Sequence, residues 1–398
     1  MIVEKDIARV SVGSFVVEIV KQRGDTKIKT KGWVRDLKAI EHLIDIGVER
    51  VLIDTSKVLD NQTPIKASVR EKKVQPTSNA PKREFSEELT EAKAIFDKSK
   101  TIQTKILDDI VCGRPLDIEP IKAITDETTE AIFQNPDALA YVINIREKDE
   151  YLLEHSTSVA ILMTIFCRYK NFDVALTKEL AVGAFLHDVG KIKIDDQILN
   201  KPGKLTVQEF EIIKGHVNHS IDIIKATNGI SDMSLEVAAQ HHEKLDGSGY
   251  PKKLAQEQIS LYGRMIAVCD IFDALTADRV YKDGMAHVKA FAILLEMGKK
   301  GLLDQTLVNG FVKCMGVYPI GSLVKLNSEQ LAVVESKNIN DPIRPKVKVF
   351  YNTKQEHFLQ AKDVDLSADL QKHIEKGVRA QDFNLNMNKI LEFLILEA

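Results

Sequence analysis

Between His155 and His242 the chain places six of its ten histidines, His155, His187, His216, His219, His241 and His242, within 88 residues. Asp188 follows His187 directly, and Asp270 closes the set. This cluster constrains the fold more than any other feature, because separate segments must converge if these side chains are to act together. Neutral imidazole with carboxylate suits borderline divalent transition metals such as iron, manganese, zinc or nickel, and one carboxylate between histidines can bridge two ions. A paired-metal centre is the first expectation.

The segments that carry the cluster read as helices. Apolar periodicity of helical type begins near Phe85 and runs to about Val317, broken by loops at Arg114-Pro115, Asn135-Pro136, Lys201-Pro202-Gly203, Asn228-Gly229 and Gly247-Ser-Gly249-Tyr-Pro251. Leu89, Ile95, Ile102, Ile106 and Ile110 fit one long amphipathic helix, whose stripe reads as core or as a homodimer seam. A helical pair over about 119 to 149 leads into the His155 segment. His187 and Asp188 are expected on a single helix, about 100° apart, with Lys191 one turn further on the same side. His241 and His242 close another helix just before the glycine-rich turn.

The flanks have a different texture. Ile7 to Val20 and Val48 to Asp54 read as strands, and Asp36 to Ile46 has helical spacing with Gly47 as a stop, so residues 1–58 are expected to form a small α+β domain. Trp33, the only tryptophan, reads as a packing residue. Residues 59–84 are polar, carry three prolines and read as a linker. After a helical domain over 85–317, the valine-rich alternation of 318–351 predicts a short β-meander, followed by a terminal helix from about Met387. Residues 318–398 thus read as a β-rich extension capping the bundle.

At 398 residues the chain has material for two or three domains. Its net charge of −3, from 55 basic against 58 acidic residues, gives no long-range attraction for duplex nucleic acid. Cys112, Cys167, Cys269 and Cys314 form no CxxC pair, so neither a disulfide framework nor a thiolate zinc site is indicated, and the usage fits a reducing cytoplasm. No uncharged apolar run reaches spanning length, and no association with a membrane is expected.

A lone histidine in a helix is usually a surface or satisfied core group, and that reading is kept for His219, while His42, His287, His357 and His373 lie outside the cluster. The remaining pattern resembles the HD-GYP phosphodiesterases, a family of mainly α, HD-type helical bundles. His187-Asp188 matches the HD pair, followed by Gly190-Lys191, and Ile198 to Leu205 matches the family's loop. The run from His241-His242 through Asp246, Gly249, Tyr250 and Pro251 carries the GYP signature, and Asp270 to Lys282 matches the last motif. The resemblance covers about 150 to 315, and residues 1–58 resemble a small domain that often precedes HD-GYP.

By that resemblance the metal ligands are His155, His187, Asp188, His216, His241, His242 and Asp270, with Asp188 bridging. Relatives that hold a third metal carry a glutamate one turn before the first histidine; here that position is Tyr151, beside Glu150 and Glu154, which favours two ions, iron or manganese. Two cations roughly 3.5 to 4 Å apart can hold a bridging hydroxide for in-line attack on a phosphodiester. Lys191 would act with Asp188 in catalysis and steady a phosphate oxygen, and Arg279 and Lys282 would grip the second phosphate or a guanine edge. The resemblance implies a bacterial cyclic dinucleotide as substrate, cyclic di-GMP or 3',3'-cyclic GMP-AMP, cut to a linear dinucleotide, and a contact with diguanylate-cyclase partners through the GYP loop. A catalytically silent receptor is the rival reading, against which stands the intact ligand set. A mononucleotide phosphohydrolase of the wider HD superfamily is weakened by the GYP loop.

Overall fold

In a computed structural model, the described residues are 2–7, 10, 14–22, 32–34, 43, 48–54, 85–144, 151–278, 284–338 and 340–396. The chain separates into two compact units, Met1–Asn79 and Ala80–Ala398.

In the first unit, β1 (Ile2–Asp6), β2 (Phe15–Gln22), β3 (Gly32–Trp33) and β4 (Val48–Asp54) form a sheet of order β1-β4-β2-β3. Every pairing is antiparallel, and Val16, Val48, Val51 and Ile53 are buried with Ile7, Val10 and Val34. The strand expected over Ile7 to Val20 is corrected to β2, which begins only at Phe15, and β1, before Ile7, was not expected; the two lie on opposite sides of β4. Apolar alternation alone sets strand ends only loosely. The helix expected over Asp36 to Ile46, apart from Leu43, and the 59–84 linker lie outside the described residues.

The second unit opens with α1 (Phe85–Val111), in which Leu89, Ile95, Ile106 and Ile110 are buried, as its periodicity predicts. Then come α2 (Ile118–Gln134), α3 (Pro136–Val142), α4 (Tyr151–Tyr169), α5 (Val174–Leu186) and α6 (Asp196–Leu199). They are followed by α7 (Val207–Lys225), α8 (Asp232–Gln240), α9 (Leu261–Thr276), α10 (His287–Lys299) and α11 (Gln305–Met315). Side chains cap the helices whose placement matters most. Asp173 accepts from Leu176 N, Thr206 and Glu209 form a reciprocal box, and Ser231 and Ser260 accept from Ser234 N and Gly263 N.

α4 has no exposed face from Glu154 to Cys167, where every residue is buried, so it runs through the middle of the bundle. Phe166 in its last turn is fully buried, between Phe311 and Tyr169. Truncating such a ring costs about 3–5 kcal/mol. α9 is the second buried helix, with Met265 to Asp270 all inaccessible. These two central helices carry His155 and Asp270, which is why groups so far apart in the chain can meet.

The C-terminal part is an antiparallel sheet of order β8-β7-β6-β5-β9, built from β5 (Leu323–Leu326), β6 (Gln330–Ser336), β7 (Lys346–Asn352), β8 (His357–Asp365) and β9 (Ile374–Gly377). α12 (Met387–Leu396) follows. Leu331 to Val334 are buried in succession, so the middle strand is covered on both faces, and its apolar residues join the core of the bundle. Two of the five strands escaped the sequence reading. β8 lies at the sheet edge with a mostly exposed face, and β9 has only four residues, so neither carries an apolar alternation.

Candidate metal centre

The expected ligands meet in one buried cluster, delivered mostly by helix ends. His187 is the C-cap of α5, and Asp188 leaves the helix with φ −102° and ψ 5° before a short 3₁₀ turn at Val189–Lys193. The expectation that the pair shares a continuous helix is thereby corrected: the break redirects Asp188. Gly190 permits the turn, because a side chain there would collide with the His216 carbonyl and the Ser220 amide on α7. The Gly190 amide instead donates to Ser220 Oγ at 2.8 Å, which locks the turn against the helix carrying His216. His241 is the C-cap of α8, with His242 directly after it.

Three imidazoles are oriented by one device. Nδ1 of His187, His216 and His241 lies 2.7, 2.6 and 2.6 Å from the carbonyl oxygens of Ala184, Ile213 and Ala238. A carbonyl can only accept, so each Nδ1 holds the proton and each Nε2 turns a lone pair inward. His155 is held differently: its Nδ1 lies 2.8 Å from Asp273 Oδ2, a carboxylate brought in by α9.

These lone pairs converge on Asp188, whose two oxygens face different sets. Oδ1 is 3.2 Å from His216 Nε2 and 3.8 Å from His241 Nε2, while Oδ2 is 3.3 Å from both His155 Nε2 and His187 Nε2. Asp270 spans the cluster similarly, with Oδ1 3.1 Å from His155 Nε2 and Oδ2 3.5 Å from His242 Nδ1. By ligand-atom spacing the cluster separates into Asp188, His216, His241, His242 and into His155, His187, Asp188, sharing only the aspartate.

Two observations fit this set to cations. His216 Nε2 and His241 Nε2 stand 3.3 Å apart, although both rings have committed their proton at Nδ1. Two lone pairs at that distance repel unless a positive charge lies between them. His187 Nε2 and Asp188 Oδ1 are also buried without a hydrogen-bond partner, an arrangement that costs about 1–3 kcal/mol per group in a folded core. Electrostatics agree. Burial opposes the Asp188 charge, yet Lys191 and the adjoining imidazoles hold its carboxyl well below the usual range. Burial pushes the His242 imidazolium down to about 3 and His241 well below its ordinary value, which keeps both neutral, as metal ligation requires.

The remaining expected residues divide. Lys191 Nζ contacts Asp188 Oδ2 at the edge of the cluster. Tyr250 lies over His242 with ring centroids 4.7 Å apart. Gly249 lets the loop fold back, since a Cβ there would fall 2.5 Å from Glu243 Cα. Asp246 is exposed and accepts from Ser248 N and Oγ, away from the ligands. His219 is half-buried and joins neither ligand group. Arg279 and Lys282 lie outside the described residues, as does Glu150. Glu154 is buried and paired with Lys100 of α1 at 3.4 Å.

Two residues that the sequence left without a role have one here. Asp273 orients His155. Glu243, buried beside the histidine pair, accepts from Lys252 N at 2.7 Å and Leu254 N at 2.9 Å and so pins the GYP loop. A second acidic residue three after Asp270 was the available signal for Asp273; nothing in the spacing singled out Glu243.

Buried helix ends that pool imidazoles around a shared aspartate define a metal-dependent phosphohydrolase of the HD class. Residues 142–307 match the HD domain, residues 3–121 a domain of unknown function (DUF3391), and residues 323–386 a KOW domain associated with HD domains. The chain is 34% identical over 342 residues to a cyclic di-GMP phosphodiesterase of Pseudomonas aeruginosa, covering 85% of this chain and 82% of that one. The chain belongs to the HD-GYP phosphodiesterase family and is an enzyme of that type. A 3'3'-cGAMP-specific phosphodiesterase of Vibrio cholerae is 50% identical over 99 residues, which cover 25% of this chain and 19% of that one. An HDG"Y"P protein from Bdellovibrio bacteriovorus superposes with a TM-score of 0.49 at 15% identity, over 78% of this chain and 98% of that one. Among the described residues no helix is long and apolar enough to cross a membrane.

Proposed function

We propose that the chain hydrolyses a bacterial cyclic dinucleotide, cyclic di-GMP or 3',3'-cyclic GMP-AMP, to a linear dinucleotide in the cytoplasm. Two divalent ions, iron or manganese, would be held by His155, His187, Asp188, His216, His241, His242 and Asp270, with Asp188 between them. The observation that carries this reading is the division of the ligands into two sets that meet only at the Asp188 carboxylate. When bound, the ions would make water nucleophilic near neutral pH and neutralise charge on the phosphoryl group.

The chain's own residues set the conditions for that chemistry. The Ala184, Ile213 and Ala238 carbonyls keep the three imidazoles in the ligating tautomer, so no reorientation is needed on binding. Lys191, paired with Asp188 and only partly covered, places an ammonium where it would steady a non-bridging phosphate oxygen. Arg279 and Lys282, a few residues beyond Asp270, would grip the second phosphate or a guanine edge. The GYP loop, pinned by Glu243, would be the surface for a diguanylate-cyclase partner. We divide the chain for this purpose into residues 1–58, a linker at 59–84, the hydrolase at 85–317 and the extension at 318–398.

The test is chromatographic analysis of products after full-length, anaerobically purified protein is incubated with each cyclic dinucleotide. A linear dinucleotide is expected from the native chain and none from Asp188→Ala. Bound metal with tight binding but no product would establish the silent receptor instead.

A further inference from the structure

α7 presents an aromatic side chain to solvent at the rim of the ligand cluster. Phe210, a turn and a half before His216, is 47% exposed. Its ring stands edge-to-face against Tyr250, with centroids 6.4 Å apart and planes at 83°. Tyr250 in turn lies over His242, so two ring contacts lead from solvent to the ligands. A single exposed phenylalanine is ordinary. This one is accompanied by a cation: Lys214, one turn along α7, holds its Nζ 5.4 Å from the Phe210 centroid and 5.8 Å from that of Tyr250. Glu211 fixes the lysine there, at 2.5 Å.

We propose that Phe210 is the stacking platform for a guanine of the bound dinucleotide and that Lys214 reads the O6 and N7 edge of that base. The inference rests on the substrate class proposed above and adds to it the residues that would select the base. A cyclic dinucleotide with one phosphodiester at the metal cluster must project its bases toward the rim. An apolar face offers stacking to any base. A lysine ammonium donates to the two acceptors that guanine presents and meets a repelling amino group on adenine. The pairing of aromatic and ammonium therefore predicts preference for guanine at this subsite.

The experiment uses the full-length, metal-loaded protein with cyclic di-GMP and cyclic di-AMP. Phe210→Ala is expected to raise KM for cyclic di-GMP about tenfold with little change in kcat, and Phe210→Trp to restore it. Lys214→Met is expected to raise KM for cyclic di-GMP while leaving the affinity for cyclic di-AMP within about twofold. Metal content and inhibition by inorganic phosphate, which needs no base contact, should match the native protein in all three. An unchanged KM in Phe210→Ala, or an equal loss toward both dinucleotides in Lys214→Met, overturns the assignment while leaving the hydrolase intact. If the native chain shows no turnover, equilibrium binding of cyclic di-GMP decides: loss of binding in Phe210→Ala supports the platform without the hydrolase, and native protein that neither binds nor cleaves refutes both.

Discussion

The two sides of the ligand cluster are held in place by different means. His187, His216 and His241 each direct Nε2 inward by donating from Nδ1 to the carbonyl three residues earlier in the same helix. His155 depends on Asp273, a residue 118 positions away on another helix. The first arrangement is local and forms whenever the helix itself forms; the second requires α4 and α9 to pack correctly. A cluster built this way is robust at His187, His216 and His241 and exposed to second-site change at His155.

Removing the residue that both ligand groups share should have the largest effect. Asp188→Ala deletes the carboxylate that faces all four of these imidazoles, and activity is expected to fall more than about a thousandfold, ~4 kcal/mol of barrier. Metal content by elemental analysis should fall with it. Retention of two metals per chain together with activity would mean that the two sets do not meet at Asp188.

Asp273→Asn probes only the non-local side. An amide can turn its NH₂ toward Nδ1 and force the His155 proton onto Nε2, closing that lone pair. Losses of outer-shell partners typically weaken metal binding 10–100-fold, and a decrease of about that size is expected, read by titration against a competing chelator. The α7–α8 side should keep its affinity, so binding would become two separate phases. A uniform loss of both phases would show that the sides are coupled and dissolve the distinction.

Tertiary support also comes from the C-terminal sheet. Arg379, just after β9, donates from Nη1 to Gly284 O at 2.8 Å, Gln381 donates to Asp278 Oδ2, and Gly284 N donates to Asp278 Oδ1 at 2.7 Å. These bonds hold the two residues that bracket 279–283, the stretch containing Arg279 and Lys282. Arg379 is partly exposed, so Arg379→Ala should cost about 1 kcal/mol and lower the melting midpoint by roughly 2–4 °C. If Arg279 and Lys282 hold substrate, KM should rise about threefold, on the order of 0.6 kcal/mol, with kcat and metal content unchanged. A drop in metal content instead would place the influence of the sheet on α9 itself.

What could be read without coordinates follows the same division. Residue type and adjacency mark His187-Asp188, His241-His242 and Asp270, because imidazole and carboxylate have few other reasons to gather in apolar helices. The bundle was legible because helices such as α1 keep a helical apolar period, whereas β8 and β9 are too exposed or too short to show any period. Asp273, Glu243 and Arg379 act through partners 118, 11 and 95 residues away, and no spacing rule reaches that far. The break after α5 was missed for a related reason: Gly190 is required by its contact with α7, which the sequence does not display.

The smallest effect is expected at His219, and it tests whether proximity in sequence was rightly set aside. His219 lies on α7 three residues after His216 and is half-buried, but it belongs to neither ligand group. Its Cβ lies beside the space that a side chain at Gly190 would occupy, and alanine keeps that atom. His219→Ala should therefore leave metal content unchanged, activity within about twofold and stability within about 0.5 kcal/mol. Loss of metal in this variant as severe as in Asp188→Ala would mean that α7 contributes two imidazoles. The local device that orients His216 would then no longer account for its side of the cluster.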